Sequence, residues 1–152
     1  MGTDIAHIVY ASDDRFAEIL GVSLVSLYEN SKDMEDIIVY ILDSSISNEN
    51  REKLVSVAKS YKRTLPVFIK AKKITEELHM EVTIDRGSLS QYARLFISSM
   101  LPGELERVLY LDCDTIIRKS IKGLWTIDLY GRTIGALMDA FSSYYRINID
   151  LE

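Results

Sequence analysis

The chain has 152 residues and a mass of 17.4 kDa, a size that fits one domain burying roughly 70% of the surface its unfolded form exposes. Its composition is 47% hydrophobic and 27% charged, with seven Gly and two Pro, which excludes disordered, collagen-like and low-complexity classes. The net charge of -5 argues against broad nucleic-acid affinity, which needs a basic face. One cysteine, Cys113, excludes an internal disulfide and suits a reducing compartment. The longest apolar runs are about seven residues, against the ~18 a membrane span needs. The N-terminus lacks a basic-then-apolar signal pattern, so a cytoplasmic protein without a membrane span is expected. The sequence stops at Asp150-Leu151-Glu152 without a terminating signal, which suggests a fragment.

Five short apolar runs, the early ones separated by stretches of helical periodicity, predict an α/β class built of βαβ units on a largely parallel sheet. The first, Ile5 to Ala11, is followed by Asp13-Asp14 and then Phe16, Ile19, Leu20, Leu24 and Leu27 at three- and four-residue steps, an amphipathic helix. The second, Ile37 to Leu42, leads to Ser47, whose position three residues before Asn50 predicts the cap of a helix carrying Leu54, Val57 and Ala58. The third is Leu65 to Ile69, and the charged stretch from Lys70 to Arg86, with His79, reads as loop with one helical turn.

A third helix is predicted from Ser88 to Leu101, with Tyr92, Leu95, Phe96 and Ser99 on one side and Pro102-Gly103 ending it. The fourth run, Val108 to Leu111, lacks alternation and reads as a central buried strand. Beyond it, Ile116-Ile117 suggests a short strand, Ile121 to Trp125 a helical turn, and Thr133 to Met138 a fifth strand. No repeat or linker divides the chain, so residues 1–152 read as one domain or part of one.

Four apolar runs end in aspartate, at Asp13, Asp43, Asp112 and Asp139. In a parallel sheet these carboxylates share the edge outside the strand ends, where open α/β sheets bind ligands. Asp13 and Asp43 sit just ahead of helices and read equally well as turn and cap residues. Asp112 and Asp114 are different. With 12 Asp in the chain one Asp-x-Asp is expected by chance, but a spacing of two along an extended segment puts both carboxylates on one side, where two hard oxygens suit Mg2+ or Mn2+.

No Walker loop or Gly-x-Gly-x-x-Gly cradle is present, so phosphates at such an edge require a metal and an arginine. Arg94, anchored by Tyr92, Leu95 and Phe96, is the best-placed candidate beside its plainer reading as a helix-surface arginine. His7 reads as a core or edge filler, and neither histidine forms a zinc set with a lone thiol. Cys113, flanked by two carboxylates, is a poor thiolate nucleophile, and Tyr144-Tyr145 stay unassigned.

Ile8-Val9-Tyr10-Ala11-Ser12-Asp13-Asp14, Tyr92-Ala93-Arg94-Leu95 and Val108 through Asp112-Cys113-Asp114-Thr115, in this order and spacing, resemble glycosyltransferase family 8. Leu42-Asp43 with Ile46 to Asn50, and Leu124-Trp125 with Asp128-Leu129, extend the resemblance over nearly the whole chain. The resemblance implies a GT-A fold, a Rossmann-like, mostly parallel sheet flanked by helices. It also implies retaining transfer of a galactose or glucose from a UDP-sugar to a glycan or lipopolysaccharide-type acceptor, with Mn2+ or Mg2+. By the same resemblance Ala11 and Asp13 contact the uridine, Arg94 the donor, Asp112 and Asp114 the metal, the Cys113 backbone the ribose or base, and Asp139 the sugar or acceptor. Arg15 departs from the smaller polar residue usual there, which touches base recognition. Family members continue well beyond this length, to a late histidine that completes the metal site, so the chain is expected to be the N-terminal, nucleotide-sugar-binding part of a longer catalytic domain. A truncated sheet would leave apolar surface that favours a homo-oligomer. Competing readings are a phosphohydrolase using the first Asp of Asp-x-Asp, a phospho-acceptor receiver domain with Asp13-Asp14 on Mg2+, and a non-catalytic nucleotide-binding module.

Overall fold

The computed structural model describes residues 4–72 and 89–136. Four parallel strands, β1 (Ile5–Ser12), β2 (Asp36–Asp43), β3 (Val67–Lys70) and β4 (Leu109–Tyr110), form one sheet in the order β3-β2-β1-β4. Helices α1 (Ala17–Asn30) and α2 (Asn48–Ser60) connect β1 to β2 and β2 to β3. Short helices α3 (Ile97–Met100) and α4 (Lys122–Trp125) flank β4.

β1 and β2 are rich in Ile, Val and Tyr because both sheet faces are covered, and successive side chains of a strand point to opposite faces. Ala6, Ile8 and Tyr10 of β1 and Ile37, Val39 and Ile41 of β2 pack against Leu20, Leu24 and Leu27 of α1 and Leu54 of α2. The alternate residues Val9, Tyr40 and Leu42 pack on the other face with Ala93, Ile97, Met100 and Leu105. Ile41 is wholly buried, and burying such a side chain contributes about 1.5–3 kcal/mol.

Local chemistry starts each helix. Asp13 accepts from the Arg15 and Phe16 amides at 3.0 and 3.2 Å, closing a 3-10 turn (Asp14–Phe16) ahead of α1. Ser47 accepts from the Asn50 amide at 3.3 Å, as its spacing predicts, and so caps α2. Asp14 reinforces that start from outside, accepting from the Ser47 amide and Asn50 Nδ2, each at 2.8 Å.

Several expectations are corrected. The third helix is a 3-10 segment over Leu89–Phe96 that passes into the single turn α3. Three residues per turn stack Ala93 over Phe96 and rotate Leu95 outward, so Ala93 is buried while Leu95 is 63% exposed. β4 is half-buried and, among the described residues, pairs with β1 alone. Its apolar run matches cover on both faces, with Leu109 packing on one and Tyr110 on the other. Ile116 and Ile117 form no strand, because α1 side chains take the backbone of Ile117, as described below. Residues 133–136 are also irregular, with Ile134 exposed. Residues 137 and 138 of the expected fifth strand, and most of the Lys70–Arg86 stretch, lie outside the described residues.

Candidate functional site

The strand order has one reversal. From β1 the chain proceeds to β2 and β3 on one side and returns to β4 on the other, so the crevice beyond the carboxyl ends of β1 and β4 is the topological switch point where α/β sheets bind ligands. Into it run Ala11, Ser12 and Asp13 from β1 and Asp112, Cys113 and Asp114 from β4.

Cys113 fastens the two exits. Its side chain is buried and its Sγ donates to the Ala11 carbonyl at 3.1 Å. Burial, followed by the nearby carboxylates of Asp112, Asp114 and Asp13, pushes the thiol up to about 11, although a Ser12 hydrogen bond opposes the shift. The group is therefore a protonated anchor and no nucleophile. With Cys113 inward, Asp112 and Asp114 face solvent. They flank a turn, not the extended segment expected, because Thr115 folds back on Asp112. Its amide and hydroxyl both donate to the Asp112 carbonyl, at 3.2 and 2.7 Å.

Arg94 reaches the same place. Its Nη2 lies 3.4 Å from Asp112 Oδ1, and its guanidinium sits over the Tyr110 ring, 5.0 Å from the centroid. The stem anticipated from Tyr92, Leu95 and Phe96 is thus replaced by an aromatic platform two residues before Asp112. Burial, then the Asp112 charge, raises the Tyr110 phenol and keeps it neutral.

The remaining strand-end acids divide. Asp13 spends one oxygen on the cap and pairs the other with Arg15 Nη2 at 3.2 Å. Asp43 is buried, accepts from the Ile46 amide at 2.7 Å and is paired with Arg51, which lies over the Phe68 ring. For Asp43 the structural reading suffices. Asp139 and Tyr144-Tyr145 lie outside the described residues, as does His79. His7 meets the Tyr40 hydroxyl through Nδ1 at 3.2 Å and stacks on that ring, a packing role. An open cleft of about 480 Å³ lies elsewhere, lined by Tyr28, Lys32, Glu35 and Arg63 among others, where Arg63 is already engaged with main-chain carbonyls.

Among the described residues no three His, Cys, Asp or Glu side chains form a metal-binding group. Asp112 and Asp114 supply two exposed hard-oxygen donors. That set fits a small divalent cation which keeps several waters and shares phosphate oxygens, and it does not fit zinc. Among the described residues no helix is long and apolar enough to cross a membrane.

Comparison with known proteins bears on the fold and the family. The family model described as glycosyl transferase family 8 matches residues 7–149. A Haemophilus influenzae protein named as a glycosyltransferase is 31% identical over 150 residues, 96% of this chain and 44% of that protein. General stress protein A of Bacillus subtilis is 28% identical over 141 residues, 90% of this chain and 47% of its own length. The chain thus spans about half the length of these relatives. In three dimensions it is similar to an active-site mutant of LgtC, with TM-score 0.77, 31% identity, and 92% of this chain and 49% of that one covered. It is similar also to the galactosyltransferase LgtC in complex with donor and acceptor sugar analogues, with TM-score 0.66, 31% identity, and 80% of this chain and 42% of that one covered. The parallel sheet with its flanking helices is the GT-A arrangement of these neighbours, and the chain belongs to glycosyl transferase family 8.

Proposed function

We propose that this chain forms the donor-binding part of a retaining, metal-dependent hexosyltransferase that takes galactose or glucose from a UDP-sugar. The observation that carries the reading is the meeting of Asp112, Asp114 and Arg94 at the switch point, two exposed carboxylates and a guanidinium beside the ends of β1 and β4. A carboxylate pair repels a diphosphate, and a divalent cation held by Asp112 and Asp114 reverses that sign. Held there by Asp112 and Asp114, Mn2+ or Mg2+ would supply Lewis-acid neutralisation of the charge on the UDP leaving group. Arg94, steadied by the Tyr110 ring, adds a fixed positive charge toward the donor phosphates. Ala11 and Asp13, at the carboxyl end of β1 beside the Asp112–Asp114 turn, are assigned to the uridine. The Cys113 backbone is assigned to the ribose or base, and Asp139 to the sugar or acceptor side.

The chain's share of its relatives, 44% and 47%, supports reading residues 1–152 as the nucleotide-sugar half of a longer catalytic domain. We assign the acceptor to the glycan or lipopolysaccharide-type saccharides; the complex of LgtC with donor and acceptor sugar analogues supports a saccharide acceptor. A single, buried cysteine supports a cytoplasmic setting. The test is calorimetric titration of UDP in the presence and absence of Mn2+. Heat that needs the cation and is lost in Asp112→Asn is expected; equal heat in Asp112→Asn, or heat independent of Mn2+, would sink the reading.

A further inference from the structure

We propose that Ser23 of α1 is a positioning residue for the Asp112–Thr115 turn, acting through a one-way chain of hydroxyls from the sheet core to the turn's main chain. The inference rests on the donor-site reading above. Thr115 Oγ1 donates its one hydrogen to the Asp112 carbonyl at 2.7 Å. The 3.4 Å contact between Ser23 Oγ and Thr115 Oγ1 therefore has Ser23 as donor, and the 3.0 Å contact between the Tyr10 hydroxyl and Ser23 Oγ has Tyr10 as donor. The order Tyr10, Ser23, Thr115, Asp112 carbonyl gives every hydroxyl one bond donated and, from Ser23 onward, one accepted. Burial raises the Tyr10 phenol, so its proton stays in place. Tyr10 and Ser23 are fully buried, so water cannot stand in for either.

The same edge of α1 continues the role. Ser26 Oγ accepts from the Ile117 amide at 3.0 Å and donates to the Ser23 carbonyl at 2.8 Å. Asn30 Nδ2 donates to the Ile117 carbonyl at 2.9 Å, and Ser31 Oγ accepts from the Ile121 amide at 3.2 Å. Ser23, Ser26 and Asn30 recur at three- and four-residue steps and share one face of the helix. Residues 115–118 are neither helix nor strand, yet a packed main chain needs partners for its polar groups. Here a helix edge supplies them as a strand would. β4 is two residues long, so α1, the longer element, fixes where the two carboxylates of the turn stand.

Ser23→Ala is the direct variant, and Thr115→Val with Tyr10→Phe bracket it by removing one hydroxyl each while keeping shape. Calorimetry with Mn2+ and UDP, and hydrogen exchange of the Thr115 amide by NMR, are read on the same proteins. Ser23→Ala, Thr115→Val and Tyr10→Phe should each weaken binding about two- to tenfold, the worth of one hydrogen bond, and Thr115→Ser should stay within about twofold of the parent. The Tyr10→Phe, Thr115→Val double variant should weaken binding by less than the product of the two singles, since both cut one chain. Thr115 exchange should quicken in Thr115→Val and not in Thr115→Ser. Lowered unfolding midpoints with unchanged affinity would overturn the positioning role, leaving these groups as core polar contacts. A parent chain that binds no UDP with Mn2+ would refute the donor-site reading instead, and the Thr115 exchange rates would then still decide the hydroxyl chain, unaltered rates overturning it.

Discussion

Arg63 follows α2 and reaches across to the far end of α1, where its guanidinium donates to the carbonyls of Ser31 at 2.8 Å, Met34 at 2.9 Å and Glu35 at 3.1 Å. Arg63→Met keeps the aliphatic stem and removes all five donors of the fork. The Glu35 carbonyl is exposed and recovers a water partner, so two part-buried acceptors carry the loss. Hydrogen bonds from a charged donor contribute about 1.5–3 kcal/mol each, and partial solvation trims the pair to a total of about 2–4 kcal/mol. For a chain of this length, about 2–4 °C per kcal/mol gives an expected fall in Tm of about 4–16 °C. Arg63→Lys keeps the charge but cannot span three carbonyls, so it should recover only part of the difference. Urea and thermal unfolding followed by circular dichroism measure both. A loss under about 1 kcal/mol in Arg63→Met, or full recovery in Arg63→Lys, would refute the role assigned to the fork. Because Arg63 lies at the amino end of β2, the Mn2+-dependent heat with UDP should survive in Arg63→Met below its Tm.

The Asp14 carboxyl is held below its ordinary range by the Ser47 amide first, then by the Ser47 and Asn50 side chains and by Lys53. A depressed folded value means stability that is present above the unfolded pKa of about 3.9 and is lost as pH falls through the folded value. The Tm gap between the parent and Asp14→Asn should therefore hold steady above about pH 5 and close below about pH 4. A gap unchanged at pH 3 would contradict the assignment. Cys113, buried and pushed up to about 11, should resist a disulfide-exchange reagent at neutral pH and react on unfolding in urea. Prompt labelling of the folded chain would show that the thiol does not anchor the two strand ends.

Much of this was legible from local chemistry. β1 and β2 follow from unbroken Ile and Val runs, and the Ser47 cap from one hydroxyl three residues before Asn50. The 3-10 segment was not legible, because Tyr92, Leu95, Phe96 and Ser99 satisfy a 3.6-residue period while the main chain adopts three. The strand-end pattern puts Asp112 and Asp114 just beyond β4, where they stand exposed, and the burial of Asp43 follows from its partner Arg51 eight residues on. Ser23 was not legible: its contact with Thr115 joins residues 92 apart in sequence, and a serine within an amphipathic helix carries no local signal of what it will touch. The same holds for Arg94, whose spacing marked it as a stem-anchored cation but could not show the Tyr110 ring beneath it.

On the proposed reading the donor cation sits in the crevice between the ends of β1 and β4. Adding Mn2+ with UDP to the isotope-labelled chain and recording which amide signals the paramagnetic ion erases tests that place directly. Loss of signal is expected at Ala11 to Asp13, Arg94 and Tyr110 to Thr115, with Lys32, Glu35 and Arg63 spared and the whole effect absent in Asp112→Asn. Erasure centred on Lys32 to Glu35 and Arg63, or a pattern that Asp112→Asn leaves intact, would contradict that reading.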